Sequence, residues 1–344
     1  MIKVNRFKDL GYTTIFNSLT GFFARIPDKG KREPFWSPHG PELMDISITN
    51  WCDKGCAFCY KSSTNRGTHM RLSDYKTIVD QAANMGTFQV ALGGGNPNQH
   101  PDFIEILEYT RLKGIVPNYT TNGRGLSNEV LNATRKYCGA VAVSAYPPYD
   151  ETEQCLKKLI HIGIKVNLHF ILDSHSIDTA INWLKEPPVF LKTINAIIFL
   201  NYKPSGRKVF ENKMLRNSKK LDEFFQLATS EERKIKVGFD ACCVSGVFAR
   251  TGSSPVMVDA CDAARFSMYI AEDMKVYPCS FQSGLVSGDL FNDKTSLIDI
   301  WTKSKNMQSF RNYFSSNRCG ECSHKNNCMN GCPIFEHIVV CGNR

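Results

Sequence analysis

The sequence predicts an α/β protein, an open partial (β/α)6 barrel followed by a small cysteine-rich C-terminal domain. Three observations carry that prediction. From residue 44 to about 240, short apolar runs alternate six times with helical patterns, as parallel strands joined by crossover helices do. Six units fall short of the eight that close a full TIM barrel. Beyond residue 240 the rhythm stops and the chain becomes rich in Cys, Asn, Ser and Gly.

Residues 1–43 read as a short cap or hairpin, 44–240 as the partial barrel and 241–344 as the C-terminal domain. In the barrel, "MDISIT" places Met44, Ile46 and Ile48 on one side of the first strand. Ser73 is placed to cap the next helix, in which Tyr75, Ile78, Val79 and Ala82 share a face and which ends near Gly86. "FQVAL" is a buried second strand, and "PDFIEILEYTRLKG" a helix with proline at its start. The pairing continues as "GIVPNYT" with "NEVLNATRKYCG", "AVAVSAY" with "TEQCLKKLIHIG", "KVNLHFIL" with "TAINWLK", and "AIIFLNY" with "KKLDEFFQLA". No internal repeat of fixed period interrupts it.

At 344 residues, 42% hydrophobic and 22% charged, the chain can bury a sizeable core. Lys and Arg total 42 against 33 Asp and Glu, a net +9 scattered in pieces such as "KGKRE" and "RNSKK". Scattered charge reads as solvated surface, with attraction for an acidic peptide or a nucleic acid as the alternative. Neither a nucleic-acid partner nor a membrane is expected. No apolar run approaches the ~20 residues of a bilayer span, and the N-terminus lacks the apolar core of a signal peptide, so the expected location is cytoplasmic. Fourteen cysteines are the anomaly. In a reducing compartment clustered cysteines point to metal or redox chemistry.

The first cluster is "CDKGCAFCY", with Cys52, Cys56 and Cys59 in the loop after the first strand, where barrels of this kind build their sites. Three thiolates hold three corners of a [4Fe–4S] cube and leave one iron open to a small bidentate ligand, such as the amine and carboxylate of an amino acid. A zinc loop would need a fourth ligand, and His69 is the only close histidine. Phe58 and the upstream strand favour the open cluster. In "ALGGGNP", glycines at a strand end let bare backbone approach a ligand. The tail places Cys319, Cys322, Cys328 and Cys332 as CxxCxxxxxCxxxC, with Cys341 beyond and Cys261 and Cys279 upstream. The last cysteines alone would also suit a zinc ribbon.

The first motif resembles the signature of the radical S-adenosylmethionine (radical SAM) enzymes, CxxxCxxC with an aromatic residue before the last cysteine, here Phe58. The resemblance implies that the methionine moiety of S-adenosylmethionine is the missing iron ligand. It further implies that reductive cleavage yields a 5′-deoxyadenosyl radical, which removes a hydrogen atom from substrate. Gly94, Gly95, Asn96 and Pro97 resemble the family's Gly-Gly-Glu-Pro, whose backbone oxygens accept from the methionine ammonium, with Asn where Glu is usual. Ser144 and Asn167 are placed like family residues that touch the cofactor; each could equally be a polar strand residue with a local bond. Thr121 and Asn122 read equally as turn-formers or contacts. Cys138 and Cys155 lie in helical patterns and read as core.

The tail resembles the SPASM domain, which holds auxiliary [4Fe–4S] clusters. The sevenfold cysteine pattern is complete, Met274 stands where a turn glycine is customary, and "SLIDIWTKSKNMQSFRN" resembles the connecting helix. The family pattern implies two auxiliary clusters: a nearer one on Cys261, Cys279 and Cys332, and a farther one on Cys319, Cys322, Cys328 and Cys341. Cys242, rather than Cys243, is the favoured fourth ligand of the nearer cluster, with an open iron as the alternative.

The resemblance implies maturation of a ribosomally made peptide, by oxidative cross-linking or epimerisation. Oxidation of a small carbohydrate or alcohol is the runner-up. A sulfatase-maturing enzyme would carry an aspartate base directly after the cysteine equivalent to Cys279; here Ser280 follows, and a serine is a poor base. Asp240 could be the base instead, and Cys243 a hydrogen donor for epimerisation. A multi-cluster electron carrier would explain the cysteines but not an open iron beside a glycine-rich strand. The expected partners are a peptide or protein substrate and an external donor of flavodoxin or ferredoxin type. The lead-in is short for a leader-recognition domain, so leader binding is expected from a separate protein or from the catalytic surface.

Overall fold

The computed structural model describes residues 1–252, 258–282, 284–293, 295–338 and 340–341. The lead-in is a three-stranded antiparallel meander of β1 (Ile2–Phe7), β2 (Tyr12–Asn17) and β3 (Phe23–Pro27), one strand more than a hairpin. Strict alternation in β2 turns Tyr12, Thr14 and Phe16 inward, and Phe16 packs with Phe23 against Phe88 at the base of the barrel.

All six strand–helix pairs form. They are β4 (Leu43–Thr49) with α1 (Leu72–Asn84), β5 (Gln89–Gly94) with α2 (Phe103–Leu112), and β6 (Val116–Thr121) with α3 (Asn128–Tyr137). Then come β7 (Ala140–Ser144) with α4 (Asp150–His161), β8 (Lys165–Leu172) with α5 (Ile177–Lys185), and β9 (Ala196–Asn201) with α6 (Lys219–Thr229). A short β10 (Val237–Phe239) pairs parallel with β9. Met44, Ile46 and Ile48 are buried on the helix side, against Tyr75, Ile78, Val79 and Ala82 of α1. Cys138 and Cys155 lie in the same core.

The tail does not stand apart from this sheet. β11 (Ser267–Ile270) pairs parallel with β4, Met268 opposite Met44, and β12 (Lys275–Tyr277) and β13 (Gly288–Asp289) follow antiparallel. The strand order is β10-β9-β8-β7-β6-β5-β4-β11-β12-β13, so the tail covers the edge that an open barrel leaves at its first strand. Helices α7 (Val244–Thr251), α8 (Leu297–Lys303), α9 (Lys305–Ser315) and the single turn α10 (Lys325–Cys328) complete it. Fully buried Trp301 of α8 donates its indole N–H to the Ser37 carbonyl at 2.7 Å, tying tail to lead-in.

Three local expectations are corrected. Ser73 does not cap α1: the helix begins at Leu72, and extended Arg71 bounds it, held by a 2.7 Å ion pair to Asp74. The connecting helix is two helices, broken where Ser304 turns extended (ψ 127°). The turn glycine that Met274 replaces is not needed, since Met274 itself takes the left-handed conformation at φ 67°. That conformation costs a non-glycine residue on the order of 1 kcal/mol, and burial of the methionine side chain offsets it.

Candidate functional site

The carboxyl ends of the barrel strands surround a cavity of about 440 Å³. Cys52, Cys56 and Cys59 stand on its wall, on the loop leaving β4. Backbone bonds shape that loop: the Cys52 N–H donates to the Thr64 carbonyl at 2.9 Å and the Cys59 N–H to the Cys56 carbonyl at 3.2 Å. A second loop, following β9, clamps it. The Arg207 N–H donates to the Cys59 carbonyl at 3.0 Å, and its guanidinium donates to the carbonyls of Cys56, at 2.9 Å, and Ser63. Gly206, at φ +95°, lies so close that a Cβ would collide with the Cys59 carbonyl oxygen. Burial pushes the Cys56 thiol up, and the neighbouring Cys59 and Cys52 sulfurs add to the shift, so bound iron would displace protons from a gathered set. Asn122, at the end of β6, donates its amide to Cys52 Sγ at 3.4 Å, which makes it a contact to a candidate ligand as well as a turn residue.

Gly93, Gly94 and Gly95 line the cavity beside that loop. A Cβ on Gly93 would meet open space, while Gly94 and Gly95 press on the carbonyls of Thr49 and Trp51. The glycines thus seat the cysteine loop as well as leaving backbone bare. Asn96 and Pro97 lie behind this wall and are not among its lining residues. The Asn96 amide donates to Gln99 Oε1 (2.8 Å) and the Arg124 carbonyl (3.0 Å), and its oxygen accepts from Thr121 Oγ1 and the Asn122 N–H (both 3.1 Å), so its side chain is fully committed to the fold. Phe58 lines the cavity and lies 5.6 Å from the Tyr146 ring; Ser144 lines it too. Asn167 does not. It faces inward one layer below, with its oxygen accepting from Asn195 at 2.7 Å, and His169, two residues along β8, takes the wall position. Burial lowers His169 to about 4, against the opposing pull of Asp240, so its imidazole is neutral.

Asp45, Lys203, Asp240, Ser280 and Phe281 also line the cavity. Burial raises the Asp45 carboxyl to about 6. Lys203 donates to Asp240 Oδ2 at 2.5 Å, and Oδ1 is itself buried. Cys243 is fully buried behind the wall, its thiol 3.8 Å from the Phe199 carbonyl oxygen. Sequence reasoning missed Asp45, His169 and the Gly206–Arg207 clamp. A charged residue opposite in parity to Met44 and Ile46 was the available signal for Asp45; nothing local signals the clamp.

The tail cysteines fall into two groups. Cys242 and Cys332 share a sulfur hydrogen bond, which raises the Cys242 thiol and lowers Cys332 to about 6. Burial raises Cys261, with Cys279 and Cys332 adding to it, and raises Cys279 to about 11. Cys242, Cys261, Cys279 and Cys332 are therefore neighbours, fed by four separate segments. In the second group burial raises Cys328 to about 11, with Cys341, Cys319 and Cys322 contributing. Among the described residues no three His, Cys, Asp or Glu side chains close on a single metal ion. All-sulfur sets spread round a wider space fit a four-iron cube, as does the three-thiol loop facing bare backbone.

Comparison with known proteins agrees. Residues 46–184 match the Radical SAM superfamily model and residues 261–329 the SPASM model, an iron–sulfur cluster-binding domain. The mycofactocin maturase MftC of Mycobacterium tuberculosis is 23% identical over 85% of this chain and 78% of its own. The GTP 3′,8-cyclase of Pasteurella multocida is 25% identical over 44% of this chain and 52% of its own. Among solved structures, Streptococcus suis SuiB bound to precursor peptide SuiA superposes with a TM-score of 0.71 at 15% identity, over 96% of this chain and 95% of that one. Native anSMEcpe with bound AdoMet and Cp18Cys peptide gives 0.63 at 16% identity, over 84% and 88%. No helix among the described residues is long and apolar enough to cross a membrane.

Proposed function

We propose that this radical SAM enzyme, whose C-terminal segment is an iron–sulfur cluster-binding SPASM domain, modifies a ribosomally made peptide by oxidative cross-linking. One observation carries the reading: a single cavity is lined both by Cys52, Cys56 and Cys59 and by Asp240, Ser280 and Phe281, which flank Cys242 and Cys279. A substrate side chain held there lies beside the first cysteine motif and near the segments of the nearer tail group. A relative described as a maturase, and a solved structure described as bound to a precursor peptide, support the substrate class.

We assign one [4Fe–4S] cluster to Cys52, Cys56 and Cys59, a nearer auxiliary cluster to Cys242, Cys261, Cys279 and Cys332, and a farther one to Cys319, Cys322, Cys328 and Cys341. With S-adenosylmethionine bound, the first supplies a 5′-deoxyadenosyl radical for hydrogen abstraction. The protein's own part is positional and acid–base. Gly93, Gly94 and Gly95 offer backbone to the methionine group, with Ser144 and Phe58 beside them. Asp240, which lines the cavity and is pinned through Oδ2 by Lys203, is the base we assign to the proton that the substrate loses. Cys243 is off the wall, which favours cross-linking over epimerisation. Ser280 at the wall weighs against formylglycine formation, since a serine is a poor base. Oxidation of a small alcohol or carbohydrate is the alternative substrate reading. We assign reduction to a flavodoxin- or ferredoxin-type donor, and leader binding to a separate protein or to the +9 catalytic surface.

Two measurements test this. Anaerobically reconstituted protein with S-adenosylmethionine and dithionite should form 5′-deoxyadenosine, and the C52A/C56A/C59A variant should form none while keeping its tail iron. Co-expression with each short reading frame flanking the gene, followed by mass spectrometry, should show one peptide losing a pair of hydrogens. Deoxyadenosine formation with every such peptide unchanged would refute the peptide reading.

A further inference from the structure

We propose that Lys203 sets the reduction potential of the nearer auxiliary cluster by holding a fixed positive charge against the sulfurs of Cys242, Cys279 and Cys332. The proposal rests on the assignment of that cysteine group to an iron–sulfur cluster.

Lys203 lies two residues beyond the end of β9, and its side chain is only 9% exposed. It passes between the cavity and the ligand-bearing segments. The ammonium donates to Asp240 Oδ2 at 2.5 Å and to the Asn201 carbonyl at 3.0 Å, and lies 4.8 Å from the centre of the Phe281 ring. Each of these partners is bonded toward the cysteine group. Phe281 is two residues beyond Cys279. Asp240 is two residues before Cys242, and the Cys243 N–H donates to its carbonyl at 2.9 Å. Asn201 donates its side-chain amide to the carbonyls of Cys242 at 3.3 Å and Ile338 at 2.9 Å. The charge is thus fixed relative to the sulfurs, not carried on a free tether.

Burial opposes that charge, and the Asp240 carboxylate in direct contact holds the lysine protonated. The ammonium is thereby seated against the segments that carry Cys242 and Cys279. A cube becomes more negative on reduction. A nearby cation in a dry setting stabilises the reduced form more than the oxidised one and raises the potential. The farther group, Cys319, Cys322, Cys328 and Cys341, comes from the final 26 residues, and its members act on one another at Cys328. Lys203 would therefore make the nearer cluster the better acceptor of the two.

The experiment is a redox titration of the full-length holoprotein followed by electron paramagnetic resonance, with iron counted in each sample. K203M keeps the length of the side chain and removes the charge; it should lower the midpoint of one cluster and leave the others in place. K203R should restore the wild-type midpoint. D240N, which strips the counter-charge, should shift the same signal the opposite way. Full iron with unchanged midpoints in K203M, or equal shifts in all clusters, would overturn the proposal. If K203M loses its iron, D240N decides alone: an upward shift of one signal supports the proposal and no shift overturns it. Iron content in C279A equal to that of the wild type overturns the cluster assignment itself, a result distinct from intact clusters that ignore Lys203.

Discussion

Asp45 faces the cavity from the middle of β4, with Tyr269 of β11 opposite it and Ala91 of β5 on its other side. Burial raises its carboxyl to about 6, above the ~3.9 of an unfolded chain. A carboxyl raised by folding contributes stability that is whole below the unfolded value and lost as pH climbs through the folded one. At neutral pH the ionised Asp45 is therefore a cost. The full shift would be worth about 3 kcal/mol, and its contact with cavity water reduces that to roughly 1–2 kcal/mol. D45N should melt higher than the wild type at pH 8, and the advantage should shrink as pH falls from 6 towards 4. Thermal denaturation across that range checks it, and an advantage independent of pH would assign the effect to packing. Parity made Asp45 legible in principle, because Met44 and Ile46 point to the helices and leave residue 45 inward. Asn96 shows the opposite case. Its place in "GGGNP" suggests a cofactor contact, but three of its four bonds go to residues 121–124 after the next strand, which no local pattern announces.

At the scale of elements, the six strand–helix pairs were readable because each helix repeats its apolar face every three to four residues and each strand buries a side. The β11 pairing was not. It joins residues more than 200 positions apart, and β11 has only four residues, too few for periodicity to register. The break at Ser304 likewise carries no glycine or proline. The loop after β9 matters most for function, since it fixes the first cysteine motif from across the barrel. G206A would force a side chain into left-handed backbone, a cost of about 1–2 kcal/mol, and push it into the Cys59 carbonyl. R207A would remove a charged donor from the Cys56 and Ser63 carbonyls, worth roughly 1.5–3 kcal/mol at the part-buried Ser63 bond and less at the exposed Cys56 bond. Both variants should fold yet load less iron at Cys52, Cys56 and Cys59, with the tail iron unchanged. Iron and sulfide analysis with spectra before and after S-adenosylmethionine addition checks it; full loading of both variants would show that the clamp is dispensable.

Across the whole molecule the two tail groups differ in what they join. Cys242 follows the last barrel strand, Cys261 and Cys279 bracket β11 and β12, and Cys332 comes from the last turns, so a cluster there staples four separated segments. Cys319, Cys322, Cys328 and Cys341 all come from the final 26 residues. That grouping was legible from spacing and family resemblance, whereas the attachment of the tail to the barrel edge was not. Metal binding by separated segments is folding free energy, because the unfolded chain holds no preformed site. Loss of the farther group should thus be local. C322A should shed about four irons, keep the signal of the first cluster, and lower peptide turnover. C279A should do more, loosening the contact between tail and barrel, and lower the unfolding temperature of the holoprotein by several degrees beyond C322A. Limited proteolysis reads the same difference, with cleavage after residue 240 accelerated in C279A alone. Equal destabilisation by the two variants would mean that the barrel edge, through β4 and β11, holds the tail without help from the nearer cluster.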